Sequence, residues 1–144
     1  MSRASTRETT RRGVTRLTGA PGRGAAQAEL TLRVDFGEQG ALGPGKVRLM
    51  ELVAEKGSIS AAGRAMDMSY RRAWLLVESL NQAFREPLVA AKHGGKAGGG
   101  AELTPLGARV VGCYRDMERA AHEAASGHLK TLGRIVLRQK VSPK

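Results

Sequence analysis

The sequence predicts a mainly α fold with a small β-wing, and three observations carry that prediction. Residues 57–82 read GSISAAGRAMDMSYRRAWLLVESLNQ, two stretches of helical periodicity separated by a short break. Residues 88–104 hold two short strand-forming arms around a tip with five glycines between positions 94 and 100. Thr104 and Pro105 then open a long apolar-periodic stretch, a threonine cap followed by proline at the first helical position.

At 144 residues the chain is long enough for one domain with a real core. Its single cysteine, Cys113, cannot build an intramolecular disulfide framework, so a reducing, cytoplasmic setting is expected. No apolar run approaches the roughly 20 residues a membrane-spanning helix needs, and no membrane partner is expected. The net charge is +11, but it is unevenly spread. Residues 1–28 hold six arginines and one glutamate, and residues 128–144 hold five Lys/Arg and no acid. The 13 Lys/Arg and 12 Asp/Glu between them leave the central part at +1. Basic ends attract any polyanion through phosphate neutralisation and counterion release. Within the domain, contact with nucleic acid must rest on where a few cations sit.

In chain order, residues 1–28 form a basic leader rich in Arg, Thr, Gly and Ala, which is expected to be disordered. Leu30, Leu32, Val34 and Phe36 alternate with polar residues, predicting a half-buried strand over 29–36. The Gly-rich segment after it is turn material. A helix over 44–56 follows, with Val47, Leu49, Met50, Leu52 and Val53 on a broad apolar face and Gly57 as its stop. It supplies the third wall that two short helices need to enclose a core.

Ser58 and Ser69 suit the N-caps of the two helices after it. In the first, Ile59, Ala62, Ala65 and Met66 share a side, and Ala61 and Gly63 permit close helix contact. In the second, Ala73, Leu76, Val77, Leu80 and Phe84 point inward, while Ser69, Arg71, Arg72 and Leu75 project elsewhere. Residues 88–92 and 101–104 are the arms of a hairpin with Lys92, His93 and Lys96 at or near its tip. The long helix is expected over about 105–126. Along it Leu106, Val110, Cys113 or Tyr114, Met117 and Ala121 recur at three- and four-residue spacing, more apolar helix than so small a domain can cover. A dimer interface is therefore expected there. Residues 127–144 are expected to fray into a basic tail.

A strand, a helix, a helix-turn-helix, a Gly-tipped hairpin and a long helix make a winged helix-turn-helix. The run GSISAAGRAMDMSYRRAW, then NQAF, then LVAAKHGGKAGGGAELTPLG, closely resembles the N-terminal DNA-binding domain of the ModE family of molybdate-responsive transcription regulators. More distantly it resembles the LysR-type DNA-binding domain. The resemblance covers about residues 29–126 and implies DNA binding and dimerisation. Full members of that family continue into molybdate-binding domains built from small β-barrels, and no segment after Ser126 is expected to form one. Molybdate sensing is thus not implied for this chain alone, no cofactor is expected, and an effector would act through a separate protein.

Arg71 and Arg72 are the leading candidates for DNA contact. An arginine near the start of a helix can pair with the O6 and N7 of guanine or with a phosphate. Two solvated arginines on an ordinary helix are the competing interpretation. Ser69 and Tyr70 can bond phosphates, a role compatible with capping by Ser69. Arg64 can touch the DNA backbone, and Lys92 and Lys96 on the wing can enter the minor groove or straddle a phosphate. Trp74 is expected to anchor its helix against the core or wing rather than to stack on bases. The Gly-rich tip is not a phosphate loop of the nucleotidase type, because it lacks the GxxxxGK[ST] order. His93, His122 and His128 have no neighbours at metal-ligand spacing, Cys113 suits a core or interface position, and Glu118 and Glu123 suit the surface. No enzyme activity is expected.

These residues point to a homodimeric, sequence-specific regulator of double-stranded DNA whose inverted-repeat operator places two recognition helices about 34 Å apart. The alternative is a nucleoid-associated or RNA-binding accessory protein that reads backbone charge. A small oxyanion-binding protein of molybdenum metabolism is a third interpretation, for which no binding of molybdate is expected.

Overall fold

The computed structural model describes residues 7–11, 14–18, 27–92 and 99–137. Strands β1 (Arg7–Arg11) and β2 (Val14–Thr18) pair antiparallel, with Arg7 opposite Thr18 and Arg11 opposite Val14. The leader expected to be disordered thus contains two strands, consistent with the strand preference of Thr9, Thr10, Val14, Thr15 and Thr18. The strand expected over 29–36 is shorter than its alternation suggests. Only β3 (Val34–Asp35) is paired, with β4 (Ala41–Leu42) beyond a short 3-10 turn at Gly37–Gln39. Alternation reports one buried edge, and among the described residues the pairing of this stretch is confined to Val34 and Asp35.

Helix α1 (Pro44–Lys56) follows, then α2 (Ile59–Ala65), α3 (Tyr70–Ala83), the wing strands β5 (Val89–Ala91) and β6 (Ala101–Leu103), and α4 (Pro105–Ile135). Helix α1 lies at the centre and packs on α2, α3, α4 and β6. Its Val47, Leu49, Met50 and Val53 are fully buried, joined by Ala62, Ala73, Leu80 and Leu88 from the surrounding elements. Removing a side chain of the larger kind from water contributes about 1.5–3 kcal/mol. Gly57 ends α1 in the left-handed region at φ 83°, its amide bonded to Val53 at 2.8 Å. Phe36 and Phe84 meet edge to face at 5.4 Å, tying the end of β3 to the end of α3.

Helix α4 runs to Ile135, nine residues past the expected end at Ser126. Gly127 and Gly133 lie inside it, and Thr131 bonds back to the Gly127 carbonyl at 3.2 Å. Two glycines weaken a helix without stopping one that continuous i to i−4 bonding carries through. Thr104 fixes its start: the hydroxyl accepts from the Gly107 amide at 2.9 Å and donates to the Pro87 carbonyl at 2.8 Å. At Gly107 the helix passes so close to the Leu88 backbone that a Cβ would collide with its carbonyl.

Tyr114, expected at a dimer interface, is instead a core residue. Its ring is fully buried and its hydroxyl donates to the Leu32 carbonyl at 2.8 Å. Burial, aided by the nearby Glu118 carboxylate and opposed by Arg115, pushes its phenol up to about 12. Leu106 and Val110 also pack against the core. Cys113 and Met117 are exposed and Ala121 is half-buried.

Arg115 joins α4 to α1. Its guanidinium grips both Glu51 oxygens at 2.9 Å and reaches Glu118 at 2.7 Å, and Arg48 adds a 3.3 Å contact to Glu51. Burial works to raise the Glu51 carboxyl, but the two arginines outweigh it and hold it below its usual value. Glu118 is therefore part of this partly buried network rather than a free surface charge.

Candidate nucleic-acid interface

Helix α2 is too short to enclose anything alone, and α3 lies tightly across it. The contact depends on Gly63, where a Cβ would stand only 2.9 Å from Ala73 Cβ. Asp67, at φ 58°, makes the left-handed step between the helices, a region aspartate tolerates better than bulkier residues. The Met66 and Met68 amides both bond to the Gly63 carbonyl at 3.0 Å. The caps fall where expected. Ser58 Oγ accepts from the Ala61 amide at 3.0 Å, and Ser69 Oγ accepts from the Arg72 amide at 3.1 Å.

This geometry sets the N-terminal end of α3 in the open. Ser69, Tyr70, Arg71 and Arg72 are all exposed. Among the described residues no carboxylate pairs with Arg71 or Arg72, so both guanidiniums are available to an anion. The two arginines diverge. Arg71 heads an outward ridge that continues through Leu75 and Glu78 at helical spacing. Arg72 lines a cleft of about 970 Å³ beside Ser69, Lys46 and the β3–β4 connection.

Arg64 is exposed on α2 and donates to Ser60 Oγ at 2.9 Å. Lys92 stands at the outer end of β5, its amide bonded to the Gly100 carbonyl at 3.0 Å. Lys96 and His93 lie outside the described residues. Trp74 is not in the core; 42 % exposed, it forms one wall of a groove between α3 and the wing.

Two positioning residues give no clear signal in the sequence. Asn81 fastens the wing to α3: its carbonyl oxygen accepts from the Leu88 and Val89 amides at 2.8 and 3.1 Å, and its amide donates to the Val89 carbonyl at 3.0 Å. The one hint is a polar residue beside the inward stripe, just ahead of a proline-containing loop. Lys46 links α1 to its neighbours through the Ala41 carbonyl at 2.9 Å and Ser79 Oγ at 3.2 Å. Among the described residues no group of three His, Cys, Asp or Glu could hold a metal ion. No helix among them is long and apolar enough to cross a membrane.

Residues 45–108 match the model of the bacterial regulatory helix-turn-helix proteins of the lysR family, a span that takes in α1, the motif, the wing and the start of α4. The chain is 38 % identical over 91 residues to the molybdenum transport protein ModE of Azotobacter vinelandii, covering 63 % of this chain and 33 % of that protein. It is 40 % identical over 91 residues to the molybdenum-pterin-binding protein MopB of Rhodobacter capsulatus, covering 63 % of this chain and 34 % of the other. Against the DNA-binding transcriptional dual regulator ModE of Escherichia coli K12 it is 35 % identical over 88 residues, 61 % of this chain and 34 % of that one. The chain thus spans about a third of the length of these relatives. Residues 45–108 are thus similar to the helix-turn-helix domain of the lysR family, in a chain whose similarity to ModE-type proteins runs over some 60 % of its length.

Proposed function

We propose that this chain is a DNA-binding transcription regulator of the ModE type, acting in the cytoplasm as a homodimer on an inverted-repeat operator. The observation that carries this is the open start of α3, where Arg71 and Arg72 stand exposed and unpaired by acid on a domain whose central charge is close to balanced. Arg71, at the head of the outward ridge, is the base-reading candidate. Arg72, Ser69, Tyr70 and Arg64 are the phosphate candidates, and Lys92 and, from the sequence, Lys96 are further ones. Only what a helix-turn-helix can do is carried over from the relatives. Molybdenum or pterin binding is not part of the proposal, and an effector would act through a separate protein.

Homodimerisation is supported by the outer face of α4. Cys113, Met117, Leu132 and Ile135 lie exposed at helical spacing, the last at 70 % exposure, on a helix that outruns its own domain. Sedimentation should give a dimer, and Leu132→Lys with Ile135→Lys should shift it to monomer while the helical circular dichroism stays unchanged. A wild-type monomer at micromolar concentration would refute the homodimer.

Selection from random duplexes identifies the operator. Arg71→Ala is then expected to reduce discrimination between operator and random DNA by about 1–3 kcal/mol. Arg72→Ala should weaken both more evenly. Discrimination that survives both substitutions would remove α3 as the reading element.

A further inference from the structure

The cleft of about 970 Å³ beside α3 has one side of that helix as a wall. Arg72, Leu76 and Ser79 follow one another at four- and three-residue spacing, so all three lie on that side. Arg72 stands at the end nearer the turn, with Ser69 beside it. The Ser69 hydroxyl oxygen accepts from the Arg72 amide, which leaves its O–H to donate. Two turns farther on, about 10 Å along the axis, the Lys46 ammonium is held by Ser79 Oγ and the Ala41 carbonyl. A lysine has a third N–H beyond those bonds, and Lys46 also lines the cleft. Half-buried Leu76 lies between the two cations and, with Met68, gives the cleft an apolar stretch.

The acids of the cleft are unequal. Asp35 is neutralised by Arg33 at 2.8 Å, whereas Asp67 pairs with no cation among the described residues. One unpaired carboxylate therefore faces two available cations separated by an apolar step. This wall is complementary to a molecule with an acid at each end and an apolar middle. Beyond any effector that acts through a separate protein, we infer that the cleft binds a small organic dicarboxylate. One carboxylate is held by Arg72 and Ser69 and the other by Lys46, with the carbon chain along Leu76. The Arg72 guanidinium cannot serve this guest and a DNA phosphate together. Resting on the regulator function proposed above, the second half of the inference is that the dicarboxylate weakens attachment to a duplex, and a duplex weakens the dicarboxylate by the same factor.

Suberate is the probe. Malonate has the same charge but its carboxylates are too close together to reach both cations, and octanoate keeps the length with one acid fewer. Calorimetry should give suberate a dissociation constant of about 1 mM or below, and malonate and octanoate about tenfold weaker binding, the order expected when one charge-assisted contact is lost. Arg72→Ala should weaken suberate by a similar factor. Two variants outside α3 change the charge of the cleft in opposite directions, with circular dichroism as the check on folding. Gly43 lines the cleft in extended backbone at φ −139°, and a Cβ there meets nothing within 4 Å, so Gly43→Asp adds a carboxylate without a clash. It should weaken suberate several-fold. Asp67→Asn removes a carboxylate, and asparagine also suits the left-handed step at φ 58°. It should tighten suberate several-fold. In anisotropy with a labelled duplex, suberate should raise the dissociation constant more than malonate at equal concentration, since the two screen alike.

An absence of suberate heat, equal affinity for suberate and malonate, or charge variants that leave suberate unchanged would overturn the site, because attraction to the basic ends has no such selectivity. Suberate binding that lowers duplex affinity no more than malonate does would overturn the competition for Arg72. An absence of duplex binding would overturn the regulator function, while the heats alone still decide the site.

Discussion

At the scale of single residues, what decides the interface is whether each polar group finds its partner nearby in sequence. Ser58, Ser69 and Thr104 are legible as caps because their bonds close within three residues. Asn81 is not, because its partners lie seven and eight residues on, across a proline-containing loop. Tyr114 misleads for the same reason: its hydroxyl reaches Leu32, 82 residues away, and periodicity cannot tell a core tyrosine from an interface one. Asn81→Ala leaves the amides of two buried residues, Leu88 and Val89, without their acceptor. The expected cost is about 2–3 kcal/mol in urea unfolding. Asn81→Asp should cost less, since a carboxylate still accepts both amides and forfeits only the donor to Val89. Equal costs in the two variants would show that the acceptor bonds are not what holds the wing.

At the scale of elements, the helices and the wing are legible because each is written locally: a cap, a period and a stop. Their lengths are less so. Helix α4 overruns its expected end because glycine marks a helix stop only when the chain turns left-handed there, as at Gly57, and no such turn occurs at Gly127. The joint between α1 and α4 is hidden in the sequence because Glu51 and Arg115 are 64 residues apart and each alone looks like a solvated charge. This joint gives stability a definite pH dependence. Glu51 is held below its usual value, so the ionised form is favoured in the folded state. Its contribution is fully present above the ordinary carboxylate range and disappears as pH falls through the lowered folded value. Glu51→Gln should therefore cost about 1–2 kcal/mol at pH 7, with both side chains of the pair partly screened. The gap to wild type should narrow as pH falls from the ordinary carboxylate range through the lowered folded value, where protonation does what the substitution does. A gap that stays constant across that range would mean that Glu51 acts through packing and not through its charge.

At the scale of the whole molecule, the basic balance and the helix-turn-helix make separable contributions. The +11 belongs mostly to the two ends, while the domain that carries Arg71 is close to neutral. For the proposed regulator, charge at the ends is expected to strengthen attachment to any duplex, and discrimination to need the exposed groups of α3. The leader allows these contributions to be pulled apart. Replacing its six arginines with glutamine removes charge while retaining the threonines and Val14 that favour β1 and β2. Affinity for operator and for random duplex should then fall together. The slope of log K against log salt should become shallower by about 0.9 for each phosphate that is no longer neutralised. Their ratio should stay where it was. A nucleoid-associated or RNA-binding accessory protein would behave differently: it has little ratio to preserve, and removing the leader's charge together with the five Lys/Arg of residues 128–144 would abolish most of its binding. Measuring both duplexes at two or more salt concentrations separates the cases, because an effect carried by the leader shrinks as salt rises, whereas discrimination carried by α3 persists when the general attraction has been screened away.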